Sequence, residues 1–144
     1  MRPEIQIFYD ANTNELINSS TGVTTGVISP SIFRNNEYLL KIKLYNVYPT
    51  EYDVSAIADW KNGIGNLGTT SNPLVESNNA SINTEGWANT TSGNITVIVN
   101  THSTTLDADL GTLDQKLYSN ELKGDNVTTI AQFDIFVHNT VYED

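Results

Sequence analysis

TIAQFDIFVHNTV, residues 129–141, decides the fold class, because its apolar and polar residues alternate one by one. Ala131, Phe133, Ile135, Val137 and Val141 fall on one face, and Gln132, Asp134, His138 and Thr140 on the other; only Phe136 and Asn139 break the pattern. That period of two is a β-strand with one packed and one wet face. One-sided strands are the habit of antiparallel sheets. A strand of this quality, so late in the chain, has to pair back onto a sheet built earlier.

Working outward, the same alternation recurs. In EIQIFYD (4–10), Ile5, Ile7 and Tyr9 share a face and Phe8 takes the other. In EYLLKIKLYNV (37–47), Tyr38, Leu40, Ile42 and Leu44 alternate with Leu39, Lys41, Lys43 and Tyr45, which places the lysines on the wet side. EYDVSAIADW (51–60) aligns Val54, Ala56, Ala58 and Trp60 and predicts a strand ending near Trp60. NITVIVNT (94–101) sets Ile95, Val97 and Val99 inward; Ile98 makes its outer face partly apolar, as in a central strand. Between these runs lie clusters rich in Asn, Thr and Ser, such as DANTNELINSSTG and NTTSGN. Asn and Ser favour turns through local backbone hydrogen bonds, so the chain reads as all-β with long surface loops.

One segment has a different period. In STTLDADLGTLDQKLYSNEL (103–122), Leu106, Leu110, Leu113 and Leu117 recur at helical spacing. Thr104 or Thr105 suits the N-cap, Asp107 and Asp109 suit the first turn, and Gly111 is a natural stop. The spacing predicts a short helix over 104–110, followed by a strand over about 115–123.

At 144 residues the chain is long enough for one ordinary domain, spanning 1–144, with a core that needs no staples. It contains no cysteine, which rules out disulfides, thiolate metal sites and a thiol nucleophile. No apolar run approaches the roughly 20 residues of a membrane helix, and MRPEIQIF lacks the apolar region of a secretion signal. A soluble chain outside the secretory route is expected. Net charge is -10, with seven Lys and Arg spread thinly, so neither nucleic acid nor an anionic membrane is expected as a partner.

Catalytic and cofactor motifs fail on context. GIGNLG (63–68) matches the dinucleotide fingerprint through Gly63, Gly65 and Gly68, but TTSNPLVESNN follows where a helix N-terminus must bind the pyrophosphate. It reads as a glycine-rich loop. DADLGTLD (107–114) offers Asp107, Asp109 and Asp114 to a cation, yet lacks the ligand set and glycine placement of a calcium loop. His102 and His138 are isolated, each on the wet face of a strand. No catalytic residue, cofactor site or metal site is assigned. N-x-S/T sequons at Asn18, Asn79, Asn89, Asn94 and Asn126 reflect the Asn- and Thr-rich composition. Trp60 and Trp87, with Tyr45, Tyr48 and Tyr52, are the candidates for a sugar-stacking platform.

The order of segments 33–46, 52–63, 93–124 and 129–141 resembles a β-sandwich domain of tailed-phage and prophage fibre and baseplate proteins, in particular the N-terminal domain of baseplate upper proteins. The residues carrying the likeness are Val97, Val99, Asn100 and Thr101; Leu106, Leu110, Gly111 and Thr112; and Gln132, Phe133, Ile135, Val137, Asn139 and Val141. The resemblance implies an antiparallel β-sandwich of the immunoglobulin-like or jelly-roll-like kind. It also implies a non-enzymatic structural role in the virion, as a fibre, baseplate or head-decoration subunit docking on other virion proteins. A homo-oligomer, a trimer by preference, goes with that role. This chain departs from the group in stopping near its closing strand and in carrying the polar insertion 68–94. The alternative is a carbohydrate-binding or adhesion module, with a glycan as partner.

Overall fold

The computed structural model describes residues 2–24, 26–68, 72–78, 82–83, 93–125 and 127–141. Among them are ten strands and one short helix: β1 (Glu4–Asp10), β2 (Glu15–Leu16), β3 (Ser31–Phe33), β4 (Glu37–Tyr45), β5 (Trp60–Gly65), β6 (Val75–Asn78), β7 (Ile82–Asn83), β8 (Asn94–Asn100), α1 (Thr104–Leu110), β9 (Gln115–Gly124) and β10 (Thr128–His138). They form two five-stranded sheets, ordered β2-β1-β4-β8-β7 and β3-β10-β9-β5-β6.

Alternation is obeyed where it was strongest. In β4 every second residue, from Tyr38 to Leu44, is buried, and in β8 the buried apolar residues are Ile95, Val97 and Val99. In β10, Phe133, Ile135 and Val137 follow the same rule, and a bulge between Thr129 and Ala131 lets Ile130 and Ala131 both turn inward. The buried faces of both sheets, with Leu106 and Leu110 of α1, contribute to one hydrophobic cluster. Val141 lies past the end of β10 and is exposed, so it takes no part in the core face.

The sheets are mixed, not antiparallel throughout. β1 runs parallel to β4, and β3 parallel to β10. Alternation reports which face is wet and is silent on the direction of the neighbour. The direction follows from the connection: between β1 and β4 the chain makes the β2 hairpin and crosses to lay β3 in the other sheet, a path of the length that a parallel pairing requires.

Three further expectations are revised. Residues 52–59 form no strand; Asp53 accepts from the Ser55 N–H at 2.9 Å and turns the backbone, and the strand begins at Trp60 instead of ending there. Val54 and Trp60 are still buried, so two anchors were right and the conformation between them was not. GIGNLG is only half a loop, because Gly63, Ile64 and Gly65 complete β5 with Ile64 fully buried. The helix is capped by Ser103, whose hydroxyl accepts from the Leu106 N–H at 3.2 Å, in place of Thr104 or Thr105; Gly111 ends it at φ 56°.

Polar side chains bind the sheets together. The Thr101 hydroxyl donates to the Phe33 carbonyl at 2.8 Å, while Tyr38 Oη accepts from the Phe33 N–H at 2.8 Å, which occupies the open side of β3. Ser77 of β6 donates to the Ile98 carbonyl of β8 at 2.6 Å. Inside the core, Asn62 and Asn120 exchange amide hydrogen bonds at 2.9 Å each, so neither buried amide is left unpaired.

Candidate functional site

The outward face of the second sheet carries the features with chemical content. Register places its side chains in rows running across the strands. The first is Asn78, Lys61, Lys123 and Thr129; the next is Glu76, Gly63, Glu121 and Gln132. Gly65, Ser119 and Asp134 follow, and the last two rows are Leu117, Phe136 and Ser31, then Gln115, His138 and Phe33. This face has two ends of different character.

At the first end, Gly63 and Gly65 carry no side chain, and Pro73 occupies the space over Gly63. A Cβ at Gly63 would lie 2.6 Å from Pro73 Cγ, so the proline ring packs directly on the glycine backbone. The resulting groove, about 260 Å³, is lined by Lys61, Lys123, Glu76, Glu121, Ser119 and Gln132 among others. Lys61 and Lys123 are direct cross-strand partners, an arrangement of like charges that costs stability. Five of the seven basic residues are ion-paired: Arg2 with Glu37, Arg34 with Asp107, Lys41 with Glu4, Lys43 with Glu51 and Lys116 with Asp109. Among the described residues the two without an ion pair are Lys61 and Lys123.

The other end is apolar. Leu117 stands opposite Phe136, and His138 opposite Phe33, whose rings lie 5.4 Å apart. Phe33, Leu113 and Leu117 are about half exposed. The helical spacing of leucines concealed this, since it grouped Leu113 and Leu117 with the buried Leu106 and Leu110. A helix that stops at Gly111 splits the stripe, and the alternation of Tyr118, Asn120 and Leu122 on the buried face was the signal that puts Leu117 outside.

The acidic residues singled out in the sequence go to separate partners. Asp107 pairs with Arg34 at 3.2 Å. Asp109 accepts from Lys116 at 2.7 Å, Tyr118 at 2.6 Å and Asn66 at 3.0 Å. Asp114 is exposed, and its backbone carbonyl accepts from Asn139. The hydrogen bond from Lys116, then that from Tyr118, hold the Asp109 carboxyl below its ordinary range; burial, then the bond to Asp109, push the Tyr118 hydroxyl up. A carboxyl depressed by folding contributes stability above the usual aspartate value of about 3.9 and loses it as pH falls through the lower folded value. Between about pH 5 and about pH 2, denaturant melts should therefore show a smaller acid loss for Asp109→Asn than for the native chain. Equal acid slopes would show that this knot contributes nothing.

His102 is exposed and bonds Asn100 Oδ1 at 2.8 Å, whereas His138 lies against Phe33. The sugar platform loses Trp60, which is 6% exposed and belongs to the core; Trp87 lies outside the described residues. Tyr45 and Tyr48 meet edge to face at 4.9 Å, and the Tyr48 hydroxyl donates to the Ser19 carbonyl. Beside them Asp10 is buried, which works to raise its pKa, but bonds from the Asn12, Tyr48, Val47 and Thr13 N–H groups win and hold it low. This carboxylate orders a turn. Of the sequons, Asn18 is exposed, Asn94 is buried in β8, and Asn79, Asn89 and Asn126 lie outside the described residues.

The chain matches no family model, and no curated protein matches it.

Proposed function

We propose that this chain is a non-enzymatic structural subunit of a tailed-phage particle, a β-sandwich of two stacked sheets that associates with copies of itself through the apolar end of the second sheet's outer face. The observation that carries this reading is the patch of Phe33, Leu117, Phe136 and His138, two rows without a carboxylate, on a chain of net charge -10. Exposed apolar clusters of this kind mark association surfaces. Copies of an acidic chain meeting face to face bring carboxylates together, and these two rows carry none.

The sheet edges favour the same choice. β2 and β7 are two residues long, β3 three and β6 four, and the open side of β3 is already engaged by Tyr38 and Thr101. Outer strands so short are by themselves poor templates for strand addition. Association then proceeds face to face, in the trimer that the resemblance to fibre domains implies.

Sedimentation velocity at micromolar concentration tests this. The native chain is expected to sediment as an oligomer, and Phe33→Asp combined with Leu117→Asp as a folded monomer with an unchanged circular dichroism spectrum, because both side chains are about half exposed. A native chain that stays monomeric up to millimolar concentration would remove self-association through this face.

A further inference from the structure

We infer that the groove at the opposite end of the same face, headed by Lys61 and Lys123, binds one residue of an acidic saccharide, its carboxylate held between the two ammonium groups and its hydroxyls on Glu76 and Glu121. The inference does not rest on the assembly reading, since it uses other rows of the sheet.

A chain with seventeen acidic residues and seven basic ones has carboxylates to spare, and five of its basic side chains are matched to one. The other two are placed side by side across β5 and β9, where each raises the cost of the other. An anion lodged between them removes that repulsion and accepts from both. The next row narrows the choice of anion. Glu76 and Glu121 face each other across Gly63, with the Glu121 carboxylate also accepting from Thr129. A phosphate or sulfate filling the groove would bring its outer oxygens against these carboxylates. A ligand with a single carboxylate at one end and hydroxyl donors along its body satisfies both rows at once.

Size and polarity complete the match. About 260 Å³ lies below the range that holds drug-sized ligands and suits one sugar ring. Ser119 and Gln132 also line it, and the Pro73 ring, packed on Gly63, forms part of its wall. Apolar lining is confined to Leu67 and Pro73, which gives an acidic peptide little to bury.

The test is an NMR titration of the full chain with glucuronate, glucose, glutamate and inorganic phosphate in separate experiments. Glucuronate is expected to shift the amide resonances of Lys61, Gly63, Glu121 and Lys123 with a dissociation constant on the order of 1 mM, at least about tenfold tighter than the other three probes. Lys61→Gln combined with Lys123→Gln should abolish these shifts, while Lys41→Gln, a lysine of the other sheet, should leave them in place. Response to phosphate or glutamate as strong as to glucuronate would overturn the saccharide assignment, and no shift at about 10 mM glucuronate would overturn the site itself.

Discussion

Gly93→Ala is expected to destabilise the protein by about 3 to 5 kcal/mol, as much as emptying part of the core. Gly93 opens β8 from a left-handed conformation, φ +70°, which a residue with a Cβ occupies at a cost of about 1–3 kcal/mol. A Cβ there would also press on the Leu44 carbonyl oxygen and stand 2.9 Å from that of Tyr52. These are backbone atoms, and the Gly93 carbonyl accepts from the Leu44 N–H at 2.8 Å, so the strand cannot shift aside without losing a ladder bond. Gly68 is the control, with φ +82° and open space around the position of a Cβ. Gly68→Ala should show the conformational cost alone. If the two variants melt together in denaturant, the close approach at Gly93 carries no energy.

Phe133→Ala is expected to cost about 3 to 5 kcal/mol, from lost burial together with the cavity left behind. The ring is 6% exposed and lies 6.4 Å from the ring of Tyr9, which belongs to the other sheet, so its removal loosens a contact between the two sheets. The adjacent Asp134 is exposed, and Asp134→Ala should stay within about 0.5 kcal/mol. Comparable losses for the two would mean that the packed face of β10 had been assigned to the wrong parity.

The candidate site was legible only in its parts. Gly63 and Gly65 match a fingerprint whose context reads as a loop, and composition does not show that Pro73 folds back over Gly63 and walls a groove there. Lys61 and Lys123 are 62 positions apart in the chain, and their pairing depends on β5 and β9 being neighbours in one register. The apolar patch was concealed because leucines at helical spacing run on past the residue that ends the helix.

Local periodicity alone determined which residues of β4, of β8 and of β10 beyond its bulge face the core, where the short helix lies and where it stops, since burial of one face and the need for a glycine after the last turn are properties of neighbouring residues. Only the tertiary structure decided that β1 and β4 run parallel, that residues 52–59 turn instead of extending, and that two lysines share a row. Those outcomes depend on which strands meet and in what register. Strand pairing is a contest among distant segments, and no window of sequence contains both contestants.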